Sequence, residues 1–435
     1  MKTTVRKSLI LAAKLLVAGV LGWYVLGKVH WHDYAVTPAG AEVAVLASRP
    51  SGQPPVELKV LDGAGRTERW VKVDQFRPVL LRMPDGAEAA VIGARPDWEA
   101  PADFRIQLSD GRRLWIEASA VDPVGIRVIQ RGFRRTLASA DRMLLAAAFV
   151  LFGAPVIILA VRWWYLLRIQ HIDISLWESV RLTFLGTFFN FVVPGSVSGD
   201  LVKAWYASRH TDRKAAALLS VFVDRVVGLL EFAVLPAAVM AVMFAAGVGD
   251  LERLAVPAAI VAAVLVAVVA ALAVLLSPGL RRVLHLSKVI ARLPLQRQIA
   301  LAADAARLYR RRLGALVKAL GLTFGGQTLF ITAIMLTGFS LALPVPWYQY
   351  FLYVPLIYII AAVPISPGGL GLAEAFFVTF FSPAGAAPSE ILALALTVRL
   401  IPMIWSLPGL VVALTGPKRP PAAAIQAELD APEGD

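Results

Sequence analysis

Two stretches decide how this sequence must fold: Pro194-Gly195-Ser196-Val197-Ser198-Gly199-Asp200 and Pro364-Ile365-Ser366-Pro367-Gly368-Gly369-Leu370-Gly371. Each interrupts a long apolar run, Val180–Trp205 and Tyr350–Phe381 respectively. Proline lacks a backbone donor and glycine admits unusual φ, so a helix entering either stretch must break there. Broken backbone at membrane depth is tolerated only when buried in protein or lining a wet cavity. The first segment runs on into Lys203, Arg209, Arg213 and Lys214, so it enters and leaves on the cytoplasmic face. The second is flanked by Trp347-Tyr348 and Ser382-Pro383-Ala384-Gly385 without basic residues, which suits the outer face. Both read as re-entrant helical hairpins, one from each side of a bilayer.

Composition places the whole chain in that solvent. Of 435 residues 58% are hydrophobic and only 17% charged, with a mean hydropathy of +0.68. A soluble domain carries roughly 25% charge and under half apolar residues. The net charge of +13 therefore reads as cytoplasmic loops of a membrane protein, and not as a nucleic-acid-binding surface. The absence of cysteine excludes disulfide frameworks and cysteine-ligated metal sites, and five histidines speak against a metal enzyme. No cofactor or metal is expected.

Six full spans accompany the two hairpins: Ser8–Gly27, Met143–Leu167, Ala215–Gly247, Leu254–Leu276, Leu316–Leu343 and Glu390–Leu414. Each has about the 20 residues needed to cross roughly 30 Å of hydrocarbon. The first follows Lys2, Arg6 and Lys7 and reads as an uncleaved anchor over 1–27 with its N-terminus inside. Residues 28–141 change character, with short alternating runs such as Phe104–Leu108 and Arg113–Ala118 separated by Asp-Gly pairs at 62, 85 and 110. Asp-Gly suits hairpin turns. This predicts a small extracytoplasmic antiparallel β domain of about six strands. His30-Trp31-His32 within it is read as interfacial, not as a metal pair. Residues 142–416 form the membrane core, and both termini fall in the cytoplasm. The nine Lys and Arg between 281 and 312, at helical spacing, suit a helix lying on anionic phospholipid or a plain positive-inside loop. The tail 417–435, rich in Pro and Ala, reads as disordered.

The two broken segments share an order: break, acid, apolar helix, arginine, Leu-Pro. Asp200 precedes Arg225 by the same 25 residues that separate Glu374 from Arg399, and Leu235-Pro236 and Leu407-Pro408 follow. An inverted repeat with interrupted helices places a substrate site near the midplane. A charge at bilayer depth is costly and usually partnered, so Asp200–Arg225 and Glu374–Arg399 are the expected pairs. They either lock helices together or line a cavity for a lipid headgroup, where arginine forks and half-helix N-termini suit phosphate. Asp224 is a second partner for Arg225 or a helix-surface acid. Asn190, Gly199 and Lys203, with Ser366, Gly368 and Gly369 in the second break, complete the candidate cavity. The aromatic clusters Trp163-Trp164-Tyr165 and Trp347-Tyr348 read as interfacial belts, and no residue is assigned a catalytic role.

The pattern Arg162-Trp163, Asn190…Pro194-Gly195…Gly199-Asp200…Lys203, Asp224-Arg225…Gly228, Pro367-Gly368-Gly369…Glu374 and Arg399…Leu407-Pro408-Gly409 resembles a known family. It is the flippase-like transmembrane domain of lysylphosphatidylglycerol synthases and related membrane proteins, including archaeal ones tied to dolichol-linked glycan assembly. Ser198, Lys203 and Ala373 depart from the usual pattern. The resemblance implies translocation of a phospholipid or polyprenyl-phosphate-linked glycolipid between leaflets, with partner enzymes of lipid or glycan synthesis. The aminoacyl-transfer domain of bifunctional members would follow the core, and the chain ends at Asp435 without room for it. Competing readings are a membrane-embedded transferase using Asp200 or Glu374 as base, and a sensory or scaffold protein.

Overall fold

The computed structural model describes residues 19–20, 23, 30–37, 42–50, 56–61, 68–72, 75–76, 78, 80–82, 88–95, 103–107, 113–117, 126–127, 129–192, 198–208, 214–247, 251–276, 313–362, 369–384 and 386–415. Most of the expected anchor, the three Asp-Gly turns, the basic stretch 281–312 and the tail 417–435 lie outside them. So do Pro194–Val197 of the first break and 364–368 of the second.

Residues 34–127 contain antiparallel strands in two sheets. The first has the order β1 (Tyr34–Val36), β2 (Glu42–Pro50), β3 (Val56–Leu61), β4 (Glu68–Lys72). The second has the order β8 (Arg113–Glu117), β7 (Asp103–Gln107), β6 (Glu88–Arg95), β5 (Leu80–Arg82), β9 (Ile126–Arg127). The β7–β8 pair brings Phe104 opposite Ile116 and Ile106 opposite Leu114. Among the described residues nine strands stand against the expected six or so, because β1, β5 and β9 span only three, three and two residues, too short to show an alternating pattern. A small core of Ala35, Val43, Val45, Val60 and Phe76 lies between the strands of the first sheet and their surroundings. Tyr34 is buried there, and burial, aided by Glu42 and Glu390, raises its phenol above the ordinary value, so it stays protonated.

From Phe133 on, the described residues are mostly helical. A short α1 (Phe133–Ala138) leads to α2 (Arg142–Leu151), whose first turn is capped by Asp141 accepting from the amides of Met143 (2.8 Å) and Leu144 (3.1 Å). Then come α3 (Gly153–Ile169), α4 (Leu176–Val192), α5 (Ser198–Ser208), α6 (Lys214–Ala245), α7 (Leu251–Leu276) and α8 (Leu313–Ser340). The chain continues as α9 (Trp347–Ala362), α10 (Leu372–Phe381), α11 (Pro388–Ser406) and α12 (Pro408–Thr415). Helices α3 and α8 stop on left-handed residues, His171 (φ 59) and Ala342 (φ 54). Each closes a Schellman pair, Ile172 N to Leu167 O and Leu343 N to Gly338 O, both 3.0 Å.

Among the described residues four helical stretches are long and apolar enough to cross a membrane: Arg142–Ile169, Val223–Ala245, Val317–Ser340 and Pro388–Thr415. The first and last are each two helices in series, α2–α3 and α11–α12, the latter interrupted before Pro408.

Helices α4, α5 and α6 recur as α9, α10 and α11. Ser198 and Leu372 begin α5 and α10, and Lys214 and Pro388 begin α6 and α11; both offsets are 174 residues (372 − 198, 388 − 214). Asp200 and Glu374, and Arg225 and Arg399, keep the same offset. The contacts are reciprocal: α6 packs on α9, and α4 packs on α11.

The β region is tied to one end of the helical core. His30 N donates to Ser389 Oγ (2.9 Å) at the start of α11, and Asp141 N donates to Ser340 O (2.7 Å) at the end of α8. Asp33 accepts from Gly132 N (2.9 Å) and pairs with Arg135 (2.5 Å). His30 stacks on Tyr34 and its Nε2 lies 3.0 Å from Glu42.

Candidate functional site

The site is assembled at the start of α5, where the chain has just left α4. Gly199 is pressed against the other arm so closely that a Cβ there would overlap the Gly186 carbonyl. Its amide, one of the helix-start donors with no intrahelical partner, is taken by Asn190 Oδ1 at 2.9 Å. Asn190 thus staples the two arms together. Asp200 follows in the first turn, where a negative charge is favoured by the helix dipole.

Asp200 is buried and accepts from Arg225 of α6: Nε lies 2.5 Å from Oδ2, and Nη2 approaches the same oxygen. One edge of the guanidinium is therefore fixed. The Arg225 side chain nevertheless remains 53% exposed against 9% for Asp200. One turn along α5, Lys203 is buried with its Nζ 4.4 Å above the Trp163 ring.

Asp224 corrects an expectation. Neighbouring residues on a helix point about 100° apart, so Asp224 turns away from Arg225 and pairs with Arg162 of α3, Nε to Oδ1 2.7 Å. Arg162 also donates to Thr323 Oγ1 on α8 (3.0 Å) and to the Asp224 carbonyl (3.4 Å), joining three helices through one buried cation. Trp163 is likewise no belt residue. It is fully buried, and its indole donates to Ser220 on α6 at 3.3 Å. By contrast Trp347 is exposed, as a belt requires.

These groups surround a cavity of about 330 Å³. Of the residues expected from sequence, Asn190, Asp200, Lys203, Asp224 and Arg225 line it, and Gly199 sits behind Asn190. Its remaining polar lining includes Arg162, Thr183, Glu231, Thr323 and Gln327, and its apolar walls include Phe232, Phe330 and Tyr358. Sequence reasoning did not put Glu231 in the site. The signal was present: a lone acid in the apolar run Gly228-Leu229-Leu230-Glu231-Phe232, seven residues beyond Asp224 and so on the same helix face.

Glu374, Gly369 and Arg399 are not among the lining residues, and Ser366 and Gly368 lie outside the described residues. The second pair is built as a lock. Glu374 Oε1 accepts from Arg399 Nε at 2.5 Å, while Oε2 caps its own helix by accepting from Gly371 N at 2.8 Å. Arg399 Nη2 donates to the Gly369 carbonyl at 3.2 Å. Gly369 (φ 69) and Gly371 (φ 77) adopt left-handed conformations that bend the chain around the pair. Among the described residues no group of three or more His, Cys, Asp or Glu is placed to hold a metal ion.

The model of one protein family, the lysylphosphatidylglycerol synthase TM region, matches residues 126–409. That match covers most of the chain, and the chain belongs to this family. No curated protein matches it.

Proposed function

We propose that this member of the lysylphosphatidylglycerol synthase TM-region family moves a phosphate-bearing lipid between the leaflets of the membrane, with the cavity at Arg225 receiving the headgroup. Family membership makes it a lipid-related membrane protein. The observation that carries the finer reading is the state of Arg225. It is an arginine in the first turn of a candidate membrane span, fixed along one edge by Asp200 and half exposed where it lines the cavity. A charge so placed is expensive unless it is used. Guanidinium presents a planar donor pair to phosphate, and the start of α5 adds a positive dipole end. Lys203 and the Asp224-bound Arg162 line the same space.

In this reading α4–α5 and α9–α10 are re-entrant hairpins from opposite faces, related by an inverted repeat, and six helices span the bilayer. The 174-residue offset and the reciprocal contacts support that arrangement. The termini then lie in the cytoplasm and the β region outside it. The basic segment 281–312 rests on anionic phospholipid. Cysteine introduced at Gly86 in this cysteine-free chain should react with an impermeant maleimide in intact cells; labelling only after lysis would reverse the topology.

The functional test is reconstitution. Proteoliposomes holding fluorescent phosphatidylglycerol in both leaflets should lose more than the outer-leaflet signal to dithionite when the protein is present. A residual signal equal to that of empty liposomes would refute lipid translocation for this lipid class, and polyprenyl-phosphate sugars are the next substrate to assay.

A further inference from the structure

The charges around the cavity do not all fall into pairs. Arg162 is held by Asp224, and Arg225 by Asp200. That leaves Lys203, whose Nζ rests on the Trp163 ring, and Glu231. Glu231 is buried, and its Oε1 has no hydrogen-bond partner among the described residues. The other polar groups that α8 and α4 present to the cavity, Gln327, Thr323, Thr183, Thr187 and Asn190, are neutral, and α9 contributes the phenol of Tyr358. A carboxyl group without a partner inside the membrane readily takes up a proton, so its charge can change with what the cavity holds.

We infer that Glu231 is a proton-binding site of this cavity, taking up one proton as an anionic phosphate headgroup enters and releasing it as the headgroup leaves. The inference rests on the headgroup reading of the cavity. Its logic is a charge count. Empty, the cavity is neutral: two ion pairs, with Lys203 balanced by Glu231. A phosphodiester brings one negative charge, and neutrality is restored when one proton is added. The count holds with Lys203 protonated and Glu231 ionised in the empty state. The phosphate then pairs with the cations, and protonated Glu231 stands as a neutral acid, able to donate a hydrogen bond. Lipid and proton therefore cross together, and a proton gradient biases the direction of lipid movement.

Titration calorimetry of the full-length chain in detergent tests this, using dihexanoylphosphatidylglycerol in two buffers of different ionisation enthalpy. The difference between buffers reads the protons exchanged on binding. The wild-type protein should take up about one proton per lipid in alkaline buffer, where Glu231 of the empty site is ionised, and uptake should fall towards zero as the pH is lowered and Glu231 is already protonated. E231Q should bind the lipid with no uptake. Binding without proton uptake by the wild-type protein overturns the proton site and leaves the headgroup reading standing. Uptake retained in a folded E231Q also overturns it. No binding at all removes the headgroup reading and this inference together. Equal uptake with sn-glycerol 3-phosphate would assign the site to free phosphate esters and overturn coupling to lipid. Should E231Q fail to fold, the wild-type proton count and its pH dependence decide alone.

Discussion

In the first half of the repeat Arg225 leans on Asp200 with 53% of its side chain uncovered; in the second, Arg399 is 22% exposed and closed in by Glu374 and the Gly369 carbonyl. The residue types, the 25-residue spacing and the helix positions are shared. What differs is how the carboxylate is spent. Glu374 has one oxygen for arginine and one for the start of its own helix. The shorter Asp200 leaves the matching helix start to Asn190, and one of its oxygens receives both guanidinium contacts. The acid that is one methylene longer closes its half of the fold, and the shorter one leaves an arginine facing a cavity. A repeat can thus duplicate a motif, close one copy and leave the other open to a cavity.

The largest effect expected from breaking this comparison is on the closed side. E374A takes the carboxylate away from the largely covered Arg399 and strips the cap from α10. Breaking a buried pair from one side typically costs about 3–5 kcal/mol, and thermal unfolding in detergent should show a collapse of folded protein. A melting point close to wild type would mean the second pair is no lock. Next comes the arm-to-arm contact on the open side. G199A forces a methyl against the Gly186 carbonyl, a backbone atom that cannot swing away, and overpacking of this kind costs about 1–3 kcal/mol. It should lower the melting point by less than E374A does and also weaken translocation. Stability unchanged in G199A would show that the two arms can separate freely. The smallest effect belongs to the partly exposed pair Glu178–Arg181 at the start of α4, 3.0 Å apart. R181A should cost only about 0.3–0.5 kcal/mol. A larger loss in the same melts would give that pair a role in anchoring the first arm.

Much of this was legible in the sequence because charge in an apolar run is conspicuous. Asp200, Arg225, Glu374 and Arg399 announced themselves and their partners by cost and by spacing, and Phe104–Leu108 with Arg113–Ala118 announced the β7–β8 pair by alternation. Four features were not legible. Arg162 stands among aromatic residues at the end of an apolar run, which reads as an interface, and only the fold shows it crossing to Asp224 and Thr323. Trp163 carries the same ambiguity, since an indole buried on Ser220 and one lying in a belt have the same local sequence. The β1, β5 and β9 strands owe their existence to partners distant in the chain, and two or three residues hold no periodicity. Which of the two acid–arginine pairs faces open space also depends on packing between helices, which no local pattern records.

The most direct measurement compares the two neutral double variants in one translocation assay. D200N/R225Q and E374Q/R399Q each remove both charges of a pair while keeping side-chain size, so neither leaves a buried charge alone. Both are first shown to be folded by their melting curves. Fluorescent phosphatidylglycerol in proteoliposomes should then move roughly tenfold or more slowly with D200N/R225Q, the loss of about 1.4 kcal/mol or more of interaction in the rate-limiting state, and at close to the wild-type rate with E374Q/R399Q. Wild-type translocation by folded D200N/R225Q would contradict the assignment of Arg225 as the phosphate-receiving residue.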